Sequence, residues 1–595
     1  MTKTELWNTA PQAPDFIAAG KAMAEIVENA AAVQRGLAER ALKPAEAPYD
    51  PSAALKTMTD FGLALWSNPL KLAQAQAETW RAFGEVAENT ARRAMGEEIA
   101  PAVQPAKGDR RFKDSGWDQP GFDFLRQSYL VTAERLQQLV DGAEGLDEDT
   151  RVRASFLIRQ FIAAISPTNF AATNPAVVRK TLETGGVNLL QGAAYALEDA
   201  AGGHGLVQRR PAESFEIGKT IAATPGAVVF RNDLMELIQY SPTTETVARR
   251  PVLMVPPMVN KYYLFDLQPR SSLLKWLVDQ GQTVFVISWA NPDEAHREKD
   301  LTAFVKEGVV EALRAIEQAT GERAVDVTSF CMGGTLLAIS LGYLQAIGED
   351  DRVASATLIG ALIDFTALGE WSGFMGERET EAFARYLSGK GYVEAKDLAK
   401  LFSVVRSNDL IWGPFVQHYL MGEQSPASDL LFWFDDAARM PEGLLNSYLK
   451  DVVRGNGLSR PGGVTIDGKP IDLKKVKTPI HFISMKEDHV SGWQATYKGL
   501  QMFGGPVTFT LGGSGHNAGV INPPAAGKHG YWTNPEKPAS PDDWMAGAER
   551  HDGSWWPFWR AWATEGQEQV PARTPGDGKL PALEAAPGSY VRVRH

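Results

Sequence analysis

The chain of 595 residues has one cysteine, and its neighbours suit a reactive group better than core filler. Ser329-Phe330-Cys331-Met332-Gly333 follows the β-branched run AVDVTSF (324–330) and leads into the helical run TLLAISLGYLQAI. This is a strand–nucleophile–helix junction, whose turn is so tight that only small residues fit two places before and after the nucleophile. Those places hold Ser329 and Gly333; glycine is the commoner residue at the first, and serine is small enough to keep the turn. Gly334 lets the helix pack close. The junction puts the sulfur at a helix N-terminus, where the dipole favours the thiolate, the attacking form of a thiol. Outside such a context a lone cysteine is more often a small buried hydrophobe. One cysteine also excludes a disulfide framework or a cysteine-rich metal site.

A thiol nucleophile needs a base, and at such junctions the partners follow in the order nucleophile, acid, histidine. Downstream of Cys331 lie His418, His481, His489, His516, His529, His551 and His595. His516 comes after the strand-like VTFTL in the glycine-rich turn GGSGHNAG, where the last sheet strand should deliver a base. Asp488 comes just after PIHFISM, in KEDHV, the place for the orienting acid. His481 lies inside a strand and is expected as a satisfied core histidine; His489 is a candidate to support the acid loop. His529 falls in a Lys- and Gly-containing loop and His551 before a tryptophan cluster. Acyl transfer also needs two backbone donors for its oxyanion. The Met332 N–H is one, and the loop PPMVNKYY after PVLMV supplies the other: Val259 is preferred over Met258, while Pro256 and Pro257 cannot donate.

The elements that must carry these groups divide the chain. At 64.9 kDa it is too long for one ordinary core. Residues 1–212 read as a helical N-terminal domain, with amphipathic runs such as FIAAGKAMAEIVENAAAVQRGLAERAL. From 213 to 595, short β-branched runs alternate with helices, the pattern of a parallel sheet covered on both faces. The interval 361–475 breaks that rhythm and is expected as a cap or lid insertion. The Pro- and Gly-rich tail 563–595 is expected to be loosely ordered, although its end, SYVRVRH, has the composition to pack. The tryptophans of SWWPFWRAW are read as core packing ahead of an apolar docking surface.

A net charge of −12 and a pI near 5.4 argue against a nucleic-acid partner. No apolar run is long enough for a transmembrane segment, and the first residues lack the pattern of a secretory signal, so a cytoplasmic location is expected. No nucleotide loop or metal-ligand cluster emerges, and no cofactor is expected.

Several long segments resemble those of class I polyhydroxyalkanoate synthases: VPPMVNKYYLFDLQP (255–269), SFCMGGT (329–335), SMKEDHVSGW (484–493) and GGSGHNAGVINPP (512–524). SPTNFAATNP (166–175) and LETGGVNLLQG (182–192) are similar to the region preceding that family's catalytic domain, and GSWWPFWRAW (553–562) to its C-terminal part. The resemblance runs from about residue 120 to the end. It implies an α/β-hydrolase-fold catalytic domain that polymerises (R)-3-hydroxyacyl-CoA, typically 3-hydroxybutyryl-CoA, with release of CoA. Cys331 would carry the growing acyl chain, His516 would activate it, and Asp488 would either assist the attacking hydroxyl or orient His516. CoA is then part of the substrate. The resemblance also implies a homodimer and association with a polymer granule surface. In one segment, FWFDDAARMP (432–441), the chain departs from the family's Trp-Asn-x-Asp-x-Thr: Phe434 and Ala438 replace its Asn and Thr. Two other classes share these features, a cysteine-variant hydrolase of esters or thioesters and a granule-coating protein with an idle triad.

Overall fold

A computed structural model describes residues 51–106, 109–201, 215–368, 391–424 and 428–594, with single positions between 18 and 25 and between 371 and 390. The expected helix over FIAAGKAMAEIVENAAAVQRGLAERAL falls outside the described residues apart from a few positions, and so does His595. The chain packs as two compact units. One is Met1–Arg210 with Ser372–Ala382 and Lys400–Pro426; the other is Pro211–Trp371 with Phe383–Ala399 and Ala427–His595.

The first unit is helical. Its main helices are α1 (Pro51–Ser67), α2 (Pro69–Ala94), α3 (Pro120–Asp141), α4 (Glu148–Ala164), α5 (Pro175–Glu183) and α6 (Val187–Ala201). Proline opens α2, α3 and α5, at positions where a helix has no use for the N–H that proline lacks. Phe61, Val140, Ala154 and Ile158 close one core under α1, α3 and α4. The segment SPTNFAATNP builds a turn. Asn174 caps α5 by accepting from the Ala176 and Val177 N–H groups, and its own amide donates to the Thr168 carbonyl at 2.7 Å. Asn188 donates to the Leu420 carbonyl at 2.8 Å, and a side chain at Gly192 would collide with the Tyr419 backbone. The interval 361–475 is therefore not one continuous insertion: 400–426 packs with the N-terminal helices, because α6 offers it a small residue and a side-chain donor.

The second unit is built on a sheet. Among the described residues its eleven strands are β1 (Gly226–Arg231), β2 (Met235–Tyr240), β3 (Val252–Val255), β4 (Val284–Trp289), β5 (Val325–Phe330), β6 (Val353–Ile359), β7 (Ile480–Met485), β8 (Val507–Gly512), β9 (Tyr531–Thr533), β10 (Glu549–His551) and β11 (Glu584–Ala585). Their spatial order is β10-β9-β8-β7-β6-β5-β3-β4-β2-β1-β11. The central run from β8 to β4 is parallel, and β3, β4, β5 and β7 are buried at every position, as strands covered on both faces must be. The flanks are antiparallel, so the sheet is mixed rather than purely parallel.

The tail is more ordered than its Pro- and Gly-rich composition suggests, and its end packs as SYVRVRH allows. Gln569–Pro571 pairs with Thr246–Ala248, β11 adds to the sheet edge, and Val591 is fully buried. Two helices matter for the site: α7 (Met332–Ile347), buried almost all round behind β5, and α8 (Trp556–Thr564).

Candidate active site

Cys331 sits between β5 and α7 with φ 53° and ψ −127°, a conformation that costs a non-glycine residue about 1–3 kcal/mol and persists only where the surroundings enforce it. Those surroundings are small-residue contacts. A Cβ on Gly333 would lie 2.5 Å from the Val255 carbonyl oxygen and 2.7 Å from that of Pro256, so the first turn of α7 rests directly on the end of β3. A Cβ on Gly334 would collide with Ala361, and Ser329, fully buried, donates its hydroxyl to the Thr357 carbonyl at 2.8 Å. The Cys331 N–H is bound to the Ile359 carbonyl at 2.9 Å, which pins the turn to β6, while the residue itself is only half-buried.

His516 follows β8, as its turn predicts, and Asp488 follows β7. His516 Nδ1 and Asp488 Oδ2 are 2.6 Å apart, and both side chains are buried. The other carboxylate oxygen of Asp488 accepts the N–H groups of Val490 and Ser491, each at 2.8 Å, so the carboxylate is fully engaged by the protein. The imidazole packs against Phe330, ring centroids 4.6 Å apart. Gly360, at φ 52°, leaves it room: a Cβ there would stand 3.3 Å from His516 Cε1.

Burial opposes a positive imidazole, yet the charge of Asp488, the sulfur of Cys331 and hydrogen bonds to both outweigh it and push the His516 pKa up to about 10. The arrangement thus favours the protonated imidazole at His516. The structure brings Cys331, His516 and Asp488 together.

Of the two expected oxyanion donors, Met332 opens α7 beside the sulfur, and Val259 lies in the loop that begins at the Pro256 carbonyl under Gly333. Among the described residues no protein acceptor takes the N–H of Met332, Val259 or Met258. The other histidines fall elsewhere. His481 is wholly buried on β7, with Nε2 2.8 Å from the Thr510 hydroxyl and Trp562 edge-on at 4.8 Å. It is only half satisfied, because Nδ1 has no partner, and burial lowers its pKa to about 3. His551 stacks on Tyr531 and meets the Thr533 hydroxyl; His418 belongs to the helical unit; His489 is exposed.

One group at the site had no signal in the sequence, and another has a role that its sequence did not show. Tyr448 is buried, its hydroxyl 3.4 Å from that of Thr335, and the charge of Cys331 adds to the burial that raises its pKa. It lies in the ordinary-looking helical run LLNSYLKDVV, 117 positions from the cysteine. The tryptophan cluster, read as core, does more than fill space. The indole N–H groups of Trp555 and Trp556 donate to the Gly519 and Val520 carbonyls at 2.9 and 3.0 Å, fixing the turn that carries His516. Among the described residues there is no group of acidic, Cys and His side chains placed to hold a metal ion, and no helix long and apolar enough to cross a membrane.

The mixed sheet with its parallel centre, the strained turn at Cys331 and a histidine–carboxylate pair on the following strand ends define the class: an α/β-hydrolase-fold protein with a helical N-terminal region. Residues 257–523 match the α/β hydrolase fold family, and residues 108–277 match the family described as poly-beta-hydroxybutyrate polymerase (PhaC) N-terminus. The poly(3-hydroxyalkanoate) polymerase of Methylorubrum extorquens is 42% identical over 606 residues, covering 98% of this chain and 99% of that one. The poly(3-hydroxyalkanoate) polymerase subunit PhaC of Rhizobium meliloti (strain 1021) is 42% identical over 91% of this chain and 89% of its own. That of Cupriavidus necator is 39% identical over 84% and 86%. The chain belongs to the poly(3-hydroxyalkanoate) polymerase family. Among solved structures, an α/β hydrolase fold protein from Chitinophaga pinensis is 12% identical over 50% of this chain and 93% of that one, with a TM-score of 0.29.

Proposed function

We propose that this chain is a class I polyhydroxyalkanoate synthase that polymerises (R)-3-hydroxyacyl-CoA, of which 3-hydroxybutyryl-CoA is the expected substrate. The observation that carries the reading is Cys331 at the strained turn beside an imidazole whose other nitrogen is tied to Asp488, in a chain 42% identical over nearly its full length to a poly(3-hydroxyalkanoate) polymerase.

The Cys331 sulfur attacks the thioester carbonyl, and the N–H groups of Met332 and Val259 hold the developing oxyanion. The carbon–sulfur bond to CoA breaks, and the departing CoA sulfur takes a proton from His516. The acyl group is now a thioester on Cys331. Exchanging one thioester for another changes the free energy little, so the acyl group stays activated. A hydroxyl then attacks it, its proton passing to His516; a carbon–oxygen bond forms, the carbon–sulfur bond breaks, and the sulfur is regenerated. Asp488 acts through His516, since both of its oxygens are already engaged inside the protein. CoA enters as part of the substrate, and the reaction calls for no cofactor. A location in the cytoplasm at the surface of the polymer granule and a homodimeric state belong to the same reading.

The test is incubation with (R)-3-hydroxybutyryl-CoA. Turbid polymer with stoichiometric CoA supports a synthase; free hydroxy acid with CoA makes the chain a hydrolase. Cys331→Ala should abolish CoA release, and persistence of release in that variant ends the thiol mechanism.

A further inference from the structure

At the end of the loop that follows β3 lies an ion pair that the reaction scheme leaves unused. The Lys261 ammonium donates to Asp436 Oδ1 at 2.7 Å and to the Val593 carbonyl at 3.0 Å, and the Tyr263 hydroxyl donates to Asp436 Oδ2 at 2.8 Å. Lys261 and Asp436 are 6% and 7% exposed, so both charges have left water. Burial pulls the Lys261 pKa down and Asp436 opposes the shift. A buried pair is a poor source of net stability, because desolvation offsets the attraction. What it fixes is the better guide to its purpose.

The backbone beside each partner is joined as well. Asn260 bridges Ala437, the Ala438 N–H donates to the Val259 carbonyl at 3.1 Å, and the Trp433 indole donates to the Lys261 carbonyl at 2.7 Å. At the other end of the loop the Trp289 indole donates to the Pro256 carbonyl at 3.1 Å. Peptide planes on both sides of Met258–Val259 are therefore tied, which is the condition a preorganised oxyanion donor has to meet. The segment 432–441 that ties them is the one in which the chain departs from the resembling family's pattern, yet Trp433 and Asp436 stand where these bonds need them.

We propose that Lys261 and Asp436 are a positioning pair: they hold the Met258–Val259 amides against the Cys331–Met332 elbow for the acyl-transfer step. The inference rests on the thiol mechanism proposed above.

The test uses the purified full-length protein and two variants, Lys261→Met and Lys261→Met with Asp436→Asn. The double variant leaves no stranded buried charge and so guards against a simple folding defect. Three quantities are measured: kcat and KM for CoA release from 3-hydroxybutyryl-CoA, the rate at which iodoacetamide alkylates the single cysteine, and the melting temperature. Alkylation is a displacement at sulfur that forms no oxyanion, so it reports the nucleophile without the loop. Both variants should lose kcat by about 10- to 100-fold, somewhat less than the roughly 10²–10³ that removal of a whole oxyanion donor costs. KM and the alkylation rate should stay within about twofold of the parent chain. A folded double variant with unchanged kcat overturns the proposal, and so does an alkylation rate that falls in step with kcat, since that marks general loosening of the site. Continued CoA release by Cys331→Ala is a different failure, that of the thiol mechanism itself.

Discussion

Trp555 donates its indole N–H to the carbonyl of Gly519 at 2.9 Å, so a residue of the C-terminal tryptophan cluster holds the turn that begins at His516. Both are buried, and a Cβ on Gly519 would meet Met485 Sδ at 2.5 Å, so the turn cannot retreat from the indole. Trp555→Phe keeps most of the apolar volume and removes the donor. The buried carbonyl it abandons should cost about 1–3 kcal/mol. Because His516 rides on the same turn, kcat should fall along with the melting temperature, by about 10-fold for each 1.4 kcal/mol of lost transition-state stabilisation. Thermal melting and CoA-release kinetics check both; an unchanged melting temperature shows that the bond contributes nothing.

Asp488 and Cys331 both favour a protonated His516 imidazole, and each contribution is separable. Its pKa is pushed up to about 10 against the opposition of burial. In the chain with selectively labelled histidine, its resonance should remain that of imidazolium through pH 8. Asp488→Asn and Cys331→Ala should each lower the titration midpoint. The sign for stability follows: a raised pKa contributes stability that is complete below the unfolded value near 6.5 and is lost as pH rises through about 10. Asp488→Asn should therefore destabilise the protein most at pH 6 and least above pH 10, measured by denaturant unfolding. A His516 resonance titrating near 6.5 in the parent chain sinks this account.

Gly333→Ala tests whether the elbow depends on close approach. The added methyl would stand 2.5 Å from the Val255 carbonyl oxygen and 2.7 Å from that of Pro256, both backbone atoms that cannot rotate away. Overpacking of this kind costs about 1–3 kcal/mol. The displacement falls on the turn bearing Cys331, so turnover should drop by about 100-fold or more, in keeping with the sensitivity of aligned groups to shifts near 1 Å. Melting and CoA release measured together decide it; full activity in a folded variant means that the β3–α7 contact is not what sets the turn.

The positions of the candidate site residues were more legible than the scaffold around them. Cys331, Asp488 and His516 each come shortly after a strand-like run, and Gly333 and Gly515 mark the turns at two of them, because an abrupt turn at a strand end leaves a local trace in composition. The six parallel strands were legible for a similar reason: each is a short run rich in β-branched and apolar residues, set apart by helical stretches or turns. Of the antiparallel flanks only β1 stood out, as the β-branched run AVVFRN. Met235–Tyr240 carries Glu236 and Gln239, whose polar atoms are satisfied inside the protein by Ser589, Tyr590 and Arg573, far along the chain. β11 is two residues long and pairs only because the tail returns to the sheet edge. Tyr448 and the Lys261–Asp436 pair left no mark in the sequence for the same physical reason. Their partners lie more than 100 positions away, and no local period marks such a contact. The division of 361–475 between two packing units was equally hidden, since the contacts of 400–426 with Asn188 and Gly192 also reach far along the chain.

His481 supplies a test of buried electrostatics away from the chemistry. It is wholly buried on β7, bound through Nε2 to Thr510, with nothing at Nδ1 to stabilise a second proton. Burial lowers its pKa to about 3, whereas in the unfolded chain it titrates near 6.5. Between those values the unfolded chain binds a proton that the folded chain refuses, so stability falls as pH falls through this window. At about 1.4 kcal/mol for each pH unit crossed, the full loss by pH 3 is on the order of 5 kcal/mol. Carboxylates add their own losses below about pH 4.5, so the interval from pH 6.5 to 4.5 isolates the histidine. His481→Gln cannot titrate there. It should be less stable at neutral pH, having lost the ring that meets Trp562, but its unfolding free energy should be nearly flat across the interval, while that of the parent chain declines by about 1.4 kcal/mol per pH unit. Urea unfolding at pH 6.5, 5.5 and 4.5 measures both slopes, and parallel slopes would mean that the parent histidine takes up its proton within the fold.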